Sequence, residues 1–214
     1  MIKLTPRLAL CAEMCPWAGR AIDVGCDHGY LIIKLILDEK AQRGMACDLR
    51  AGPLRHAKSN IRFYGLENII ETLQTDGLDG IPPSGDDLIT ICGIGGDNIA
   101  DILKRAPWTK DAAIVAQPMT KQHRLRRFLS ENGYNIFEER LIYEDRRLYT
   151  LMRIGRGEYR GESHMLYSEA MESDRLFPDY IKMMHSKYQK RYSGNGEAHD
   201  REIASLLEEK MRWL

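Results

Sequence analysis

A turn rich in glycine and acidic residues follows an early apolar run and limits the folds open to this chain. Residues 21–31 are AIDVGCDHGYL, so an apolar run enters the segment Asp23 to Gly29 and a second apolar run follows. This order predicts a strand, a tight loop and a helix start, as in nucleoside-binding loops of parallel sheets. The spacing is D-x-G-x-x-x-G, not the G-x-G-x-x-G that brings a backbone close to a pyrophosphate. A dinucleotide fold, and with it an NAD oxidoreductase, is therefore disfavoured.

Composition narrows the classes of protein to which the chain can belong. Its 214 residues are 43% apolar, which suits one domain of ordinary size and a small appendage. The 31 basic and 31 acidic side chains cancel, so nucleic acid would have to bind to local patches. No window approaches the roughly 18 apolar residues of a membrane span, and the first residues lack a secretory signal. We expect a cytoplasmic protein without a membrane partner, and the pattern specifies no oligomeric state.

The cysteines predict neither a disulfide framework nor a metal site. The five cysteines are an odd number, and they lack paired C-x-x-C spacing and a following H-x-x-x-H. They are Cys11, Cys15, Cys26, Cys47 and Cys92. We expect reduced thiols and no bound metal.

Apolar and β-branched runs alternate with amphipathic stretches, a rhythm that predicts βα units and a parallel sheet. The predicted strands are 21–25, 44–48, 69–75, 88–92 and 112–117. The predicted helices are 5–15, 30–37, 53–64, 98–105 and 121–132. Two further extended runs, 134–143 and 146–153, are separated only by Glu144-Asp145 and predict a closing antiparallel hairpin. The expected fold is α/β, a Rossmann-like seven-stranded mixed sheet with helices on both faces.

The composition changes after residue 157. Residues 158–214 are rich in both charges, lack strand-like runs and repeat apolar side chains at helical spacing. We expect a sheet domain over residues 1–157 and a C-terminal helical, coiled-coil-like module over residues 158–214. Packing of that module on the sheet domain and contact with RNA remain open alternatives.

Acidic or small residues end the second, third and fourth predicted strands. Asp48 closes the second strand, where the two hydroxyls of a ribose would donate to its oxygens. Asp76-Gly77 follows the third strand, where an adenine amino group would find an acceptor. Gly93-Ile94-Gly95-Gly96 follows the fourth, and its lack of bulk lets a ligand approach the backbone. Gln117-Pro118 adds an amide at the same rim.

The first loop resembles motif I of class I S-adenosylmethionine (SAM) methyltransferases. Together, the motifs resemble those of bacterial tRNA methyltransferases that modify N1 of adenosine 22. The matching segments are Leu4 to Leu8, Asp23 to Leu31, Asp48 with Gly52-Pro53, Asp76 to Leu78, Gly93 to Gly96, Gln117-Pro118, Leu125-Arg126 and Glu144 to Tyr149. Ile94 stands where the family usually has Met, and the helical module looks shorter than the family's coiled-coil arm. Many methyltransferases of exocyclic amines carry an Asn/Asp-Pro-Pro-aromatic motif after the fourth strand, and this chain does not.

The resemblance implies SAM-dependent methylation of tRNA and assigns roles to particular residues. Cofactor binding would fall to Asp23, Gly25, Cys26, Gly29, Asp48, Leu49, Asp76, Gly77 and Gly93. The catalytic residues facing the target adenine would be Asp27, His28, Tyr30 and Gly95. Contacts with the tRNA would come from Arg7, Gly96, Gln117, Pro118, Arg124 and Arg127.

The chemistry of adenine N1 sets the requirements for such a site. N1 carries an unprotonated lone pair at neutral pH, so in-line attack on the methyl group needs alignment and desolvation more than a general base. N1 also lies on the pairing edge, so the base must be unpaired or flipped. Two basic helices would meet the RNA. Their basic residues are Arg50, Arg55, His56, Lys58 and Arg62 on one, and Lys121, His123, Arg124, Arg126 and Arg127 on the other.

Two alternatives remain open from sequence. The first is a SAM methyltransferase for a small molecule or protein, which would be active without RNA. The second is a catalytically silent protein that binds SAM or RNA, a possibility raised by Ile94 and the short helical module. The fold does not choose between them, because the choice depends on the site.

Overall fold

Seven strands form one mixed sheet in a computed structural model that describes residues 2–162 and 164–214. The strands are β1 (Ala18–Val24), β2 (Ala41–Asp48), β3 (Ile70–Gln74), β4 (Asp87–Ile94), β5 (Ala113–Pro118), β6 (Tyr134–Glu144) and β7 (Arg147–Arg156). Their order across the sheet is β3-β2-β1-β4-β5-β7-β6. Strands β1 to β5 are parallel, and β7 runs antiparallel to both β5 and β6. The predicted Rossmann-like α/β fold is confirmed.

Helices precede, connect and follow the parallel strands. They are α1 (Pro6–Met14), α2 (Tyr30–Leu37), α3 (Ala51–Phe63), α4 (Gly96–Arg105) and α5 (Gln122–Glu131), with short 3₁₀ turns at Pro107–Asp111 and Glu169–Met171. Each predicted strand and helix of the sheet domain is present, and its ends lie within three residues of the predicted ones. The helix α4 begins at Gly96, earlier than predicted. Glycine has a poor intrinsic helix propensity, so the sequence pattern does not indicate this first turn.

Buried aliphatic side chains cover both faces of the sheet. One cluster joins the sheet to α1, α2 and α3 through residues such as Leu10, Ile32 and Ile61. A second cluster joins it to α4 and α5 through residues such as Ile99 and Leu125. Each fully buried side chain of this size contributes about 1.5–3 kcal/mol, so the two clusters hold the helices against opposite faces. The prediction of helices on both faces is confirmed.

The strands β1 and β4 are neighbours, although β2 and β3 lie between them in sequence. The strand order reverses at this point, which opens a crevice at the carboxyl ends of β1 and β4. The pairing of β4 with β5 shifts register between Cys92 and Ile94, and Gly93 between them has a φ of 78°. Such a bulge bends a strand and redirects the residues that follow it. The Ile94 side chain consequently lies against Gly25 of the first loop.

A two-residue turn joins β6 to β7. Asp145 and Arg146 have φ values of 48° and 63°, which is the type I′ geometry that suits the twist of a hairpin. The predicted turn pair, Glu144-Asp145, was therefore one residue too early. Glu144 is instead the last residue of β6, and Arg7 holds its carboxylate.

The chain divides into one compact unit that ends at Ala170 and another over Met171–Leu214. This division lies later than the predicted boundary after residue 157. The Glu139 carboxylate on β6 accepts hydrogen bonds from Ser168 N at 3.0 Å and from Ser168 Oγ at 2.5 Å. Arg126 Nη1 donates to Met165 O at 3.2 Å. These bonds attach the segment around residues 165–168 to the first unit.

The second unit contains two helices that pack on each other, α6 (Phe177–Asn195) and α7 (Ala198–Met211). Gly196 joins them in the left-handed conformation that commonly ends a helix. The prediction of C-terminal helices joined by a turn is confirmed. In the described part of the chain, no helix combines the length and apolar character that crossing a bilayer requires.

Candidate functional site

A cleft of about 1430 Å³ opens where the carboxyl ends of β1, β2 and β4 meet. Most of the predicted site residues line this cleft. Those residues are Arg7, Asp23, Gly25, Cys26, Asp27, His28, Tyr30, Asp48, Leu49, Asp76, Gly77, Gly93, Gly95 and Gln117. The predicted residues Gly29, Gly96, Pro118, Arg124 and Arg127 are not part of the lining.

The loop after β1 is held by backbone hydrogen bonds to the neighbouring strand. Gly25 N and Cys26 N both donate to Cys47 O at 2.9 Å, and Gly29 N donates back to Cys26 O at 2.7 Å. Asn60 Nδ2 on α3 donates to His28 O at 2.9 Å. The loop therefore has one defined shape before any ligand binds. Gly29 begins α2 from outside the cleft lining, so its place is to shape the loop.

Asp23 is an almost fully buried carboxylate at the floor of the cleft, with 3% of its surface exposed. Thr90 Oγ1 donates to its Oδ1 at 2.7 Å. Burial raises the pKa of Asp23 to about 6, and the nearby Asp48 carboxylate adds to the rise, whereas the Thr90 hydrogen bond opposes it. Among the described residues, no basic side chain forms an ion pair with Asp23. A cationic ligand group in the cleft would therefore stabilise its charged form.

Asp48 offers a free acceptor at the end of β2. Its side chain is 8% exposed, and its Oδ1 accepts a hydrogen bond from Arg50 N at 2.9 Å. Its Oδ2 has no hydrogen-bond partner within residues 2–162 and 164–214. A carboxylate this buried requires donors, and a ribose diol supplies two of them. The carboxylate acceptors of the cleft thus fit a nucleoside that carries a positive charge.

Asp76 has a partner that the sequence did not indicate. Arg105 Nη2 of α4 lies 3.0 Å from Asp76 Oδ1, and the same guanidinium pairs with Asp79. A Cβ atom on the neighbouring Gly77, whose φ is 64°, would lie 2.7 Å from Cγ1 of Ile102. The loop after β3 is therefore fixed against α4 by an ion pair and by a close approach that only glycine allows.

Arg7 makes several hydrogen bonds within the fold. Its backbone N and its Nε donate to the two oxygens of Glu144 at 2.9 and 2.7 Å. Its Nη1 donates to Gln117 Oε1 at 3.0 Å, and Gly93 N donates to the same oxygen at 3.1 Å. The Arg7 guanidinium also lies over the Tyr149 ring, 4.6 Å from its centroid. Arg7 therefore orients Gln117, and Gln117 orients the glycine loop after β4.

Arg7 also controls the charge of Glu144. Burial alone would raise the pKa of Glu144, but the hydrogen bonds and the positive charge of Arg7 lower it overall. The pair is thus ionised at neutral pH. This arrangement favours a positioning role for Arg7 over the predicted contact with tRNA.

Three aromatic rings form an exposed stack at the rim of the cleft. The His28 ring lies 5.8 Å from the Tyr30 ring at an angle of 22°, and 5.1 Å from the His56 ring at 8°. The Asp27 carboxylate lies 3.7 Å from His28 Nε2. Such a platform can receive a flat, unpaired base on its face. His56 is the member of this stack that the sequence did not assign to the catalytic group.

The thiols of Cys26 and Cys47 are poorly suited to react as thiolates. Burial raises the pKa of the Cys26 thiol far above its usual range and that of Cys47 to about 12, and in both cases Asp23 adds to the rise. Both thiols therefore stay protonated at neutral pH. Cys92 lines the cleft with its Sγ 3.2 Å from Cys11 Sγ. Across the described chain, no cluster of three or more His, Cys, Asp or Glu side chains is arranged to hold a metal ion.

The basic helix α5 differs from the prediction. Arg126 is not an exposed cation but is fully buried, with its Nη2 2.6 Å from Glu139 Oε1. Arg124 is exposed but pairs with Asp97 at 3.2 Å, and Arg127 is exposed outside the cleft lining. Gly96 supports this region, because its Cβ would lie 2.6 Å from Lys121 O, so only glycine lets α4 approach the loop before α5.

Several residues of the cleft were not among the site residues assigned from sequence. They are Thr5, Leu8, Val24, Leu31, Arg50, Thr75, Cys92, Ile94, Asn98, Asp101, Ile102, Lys104 and Arg105. Of these, Thr5, Leu8, Val24, Leu31 and Ile94 lie in the matching motifs, and Arg50 was assigned to RNA contact. One available signal was the spacing of Asn98, Asp101 and Arg105, which recur at helical intervals directly after the glycine loop. Such spacing places one face of α4 along the cleft.

Comparison with known proteins identifies the family of the chain. A model described as a methyltransferase domain matches residues 4–152. The curated tRNA (adenine(22)-N(1))-methyltransferase of Bacillus subtilis is 33% identical over 153 residues, which are 71% of this chain and 64% of that protein. The alignment thus spans just under two thirds of that relative's length.

Solved structures extend the likeness to nearly the whole chain. The B. subtilis M1A22 tRNA methyltransferase TrmK matches with a TM-score of 0.82 and 27% identity, covering 99% of this chain and 97% of that one. M. capricolum TrmK in complex with S-adenosyl-homocysteine matches with a TM-score of 0.82 and 26% identity, covering 98% and 96%. The chain therefore belongs to the methyltransferase-domain family, and these matches confirm the resemblance to tRNA (adenine(22)-N1)-methyltransferases that its motifs indicated.

Proposed function

We propose that this protein transfers a methyl group from SAM to N1 of an adenosine in tRNA, at position 22. The observation that carries the proposal is that the Asp23 and Asp48 carboxylates line the same cleft. A ligand with a positive charge would stabilise the ionised form of Asp23, and the two hydroxyls of a ribose would donate to Asp48. The likeness to the B. subtilis enzyme and to both TrmK structures supports the choice of substrate. A tRNA substrate also supports a cytoplasmic location.

The cleft residues would bind the cofactor through complementary charge and hydrogen bonding. When bound, SAM supplies an electrophilic methyl group on a positively charged sulfur. Asp48 would accept hydrogen bonds from the ribose through its open oxygen, and Asp23 would offset positive charge from the floor of the cleft. Gly93, whose NH is held by Gln117, would let the ligand lie close to the backbone. Asp76 already binds Arg105, so the two residues would act together at the adenine end.

The target base would meet the exposed residues Asp27, His28 and Tyr30 and the partly buried Gly95. The ring faces of His28 and Tyr30 give a surface on which a flipped adenine can stack. Its N1 lone pair needs no general base, so the work of these residues is to hold the ring in line and exclude water. Methylation leaves the base positively charged, and the Asp27 carboxylate near the rim would stabilise that charge.

The test is transfer of a labelled methyl group from SAM to an unmodified bacterial tRNA transcript, followed by nucleoside analysis. A transcript with guanosine in place of adenosine 22 serves as the matched control. We expect 1-methyladenosine with the first transcript and none with the second. Equal methylation of both would reject position 22. Measured SAM binding without transfer to either would reject tRNA methylation and favour a silent binder or another substrate.

A further inference from the structure

Three segments of this chain each combine four basic side chains with no acidic ones: residues 49–66, 112–130 and 180–196. The whole chain has a net charge of zero. The segment 49–66 contains α3, which carries Arg55, Lys58 and Arg62. The cations of a neutral protein are normally interspersed with acids, so an acid-free basic segment indicates a surface that attracts anions.

The helical geometry places these cations together. Leu54, Ala57 and Ile61 of α3 are buried. Arg55, Lys58 and Arg62 are exposed and follow one another at i, i+3 and i+7, so they lie along one side of the helix. At 1.5 Å per residue the row is about 10 Å long. None of the three forms an ion pair with an acidic side chain in the described parts of the chain.

The basic helix α5 contrasts with α3. Lys121 and Arg124 both pair with Asp97, and the hydrogen bond from Lys121 lowers the pKa of that carboxyl below its usual value. Arg126 is buried with Glu139. The cations of α5 are thus largely neutralised by the fold, whereas those of α3 are not.

The row on α3 also begins at the cleft. Arg50, immediately before α3, lines the cleft with 77% of its side chain exposed. On the helix itself, Asn60 donates to His28 O and the His56 ring stacks on the His28 ring. Phe63, at the far end, is 82% exposed. The helix therefore joins the catalytic loop to a charged surface that ends in an exposed aromatic ring.

We propose that this α3 surface, formed by Arg50, Arg55, Lys58 and Arg62, binds the phosphates of the RNA strand next to the nucleotide that enters the cleft. The inference rests on the proposed tRNA substrate. Guanidinium and ammonium groups bind phosphate oxygens through charge-assisted hydrogen bonds, which set the register of the strand without specifying its sequence. Binding at α3 would bring the strand past His56 and His28, where the extruded base turns into the cleft.

The test compares two triple variants of the full chain, each losing two Arg and one Lys. The first is Arg55→Gln, Lys58→Gln, Arg62→Gln. The control, Arg43→Gln, Lys110→Gln, Arg156→Gln, removes the same charges near the amino ends of the parallel strands. Binding of an unmodified tRNA transcript is measured over a series of salt concentrations, with SAM affinity and melting temperature as measures of an intact fold.

In the α3 variant we expect tRNA affinity at low salt to fall by about tenfold, and the slope of log affinity against log salt to become shallower by about two to three. The control variant should keep the wild-type slope. SAM affinity should be unchanged in both, since no substituted side chain lines the cleft.

The outcomes separate this surface from the proposed function. Equal slopes of log affinity against log salt for the two variants would overturn the proposal that the α3 surface binds RNA. A wild-type chain that binds no RNA at low salt would also overturn it. RNA binding that depends on the α3 cations, without methylation of adenosine 22, would uphold the surface and reject the proposed function. Methylation of adenosine 22, together with equal salt slopes for the two variants, would support the proposed function and reject the α3 surface.

Discussion

At the scale of single residues, Asp23 links the site to pH. Its pKa in the folded chain is raised from 3.8 to about 6, so the folded chain holds this proton more tightly than the unfolded chain. The favourable contribution to stability is therefore complete below pH 3.8 and is lost as the pH rises toward 6. At about 1.36 kcal/mol per pKa unit, the loss is on the order of 2–3 kcal/mol. The site keeps an acid there at a cost in stability, as binding sites often do.

We predict that Asp23→Asn raises the melting temperature near neutral pH and weakens SAM binding by at least about tenfold. An amide oxygen can still accept from Thr90, but it carries no charge to offset a cation. Wild-type SAM affinity should fall as the pH drops through 6, and the variant should lack this dependence. Calorimetry checks the affinities and thermal unfolding the stabilities. Asp27→Asn, on the exposed part of the same loop, is the control and should leave the melting temperature unchanged. Unaltered SAM affinity in Asp23→Asn would contradict the role.

For Arg7, the network with Glu144 and Gln117 leads to a different prediction. We expect Arg7→Met to lower kcat for methyl transfer by about tenfold, because Gln117 no longer holds Gly93 in place. The salt dependence of tRNA binding should stay at its wild-type slope, since the guanidinium is engaged within the fold. Arg7→Lys should recover part of kcat through the charge on Glu144. A shallower salt slope with normal kcat would instead return Arg7 to the tRNA contact predicted from sequence.

At the scale of elements, the buried pair of Arg126 and Glu139 joins α5 to β6. Its side chains are 1% and 0% exposed, and the same carboxylate holds Ser168. Removing one member leaves the other charged and buried, which costs about 3–5 kcal/mol. We predict this loss for Arg126→Met in urea unfolding. The double variant Arg126→Met, Glu139→Leu should recover much of it.

The neighbouring Arg124 provides a control on the same helix. Its ion pair with Asp97 is exposed, so Arg124→Met should change the free energy of unfolding by less than about 1 kcal/mol. Equal losses for Arg124→Met and Arg126→Met would show that the buried pair has no special weight in the attachment of α5.

The sequence predicted elements better than it predicted the partners of individual side chains. Period and turn residues are local properties, and they located the strands, the first loop and Asp48. Arg7 pairs with Glu144, 137 positions away, and Arg126 pairs with Glu139 on the strand that follows its own helix. Both pairs depend on how separate elements pack, so local patterns could not distinguish these cations from the exposed Arg127. The same holds for Arg105, which reaches back to Asp76 from the end of α4.

At the scale of the whole molecule, the cleft that we propose for SAM belongs to one of the two units. Its lining residues lie between Thr5 and Gln117, and the first unit extends to Ala170. We therefore predict that a fragment ending at Ala170 binds SAM within about twofold of the full chain, because its binding groups and their supports are all present. Calorimetry on both proteins checks this. A fragment with native circular dichroism but no SAM binding would refute it.

The bond between Arg7 and Glu144 also has a consequence for biosynthesis. The two residues are 137 positions apart, and the hairpin that carries Glu144 is the last part of the sheet to leave the ribosome. At about 5–20 residues per second, Arg7 waits roughly 7–27 seconds for its partner. At the end of that interval Asp23, Asp48, Gln117 and their strands have already been made, but Arg7 still lacks the carboxylate of Glu144 that helps to hold it beside Gln117. The nascent chain thus acquires the acidic floor of its cleft first, and the carboxylate that holds Arg7 at the glycine-loop side of the cleft last.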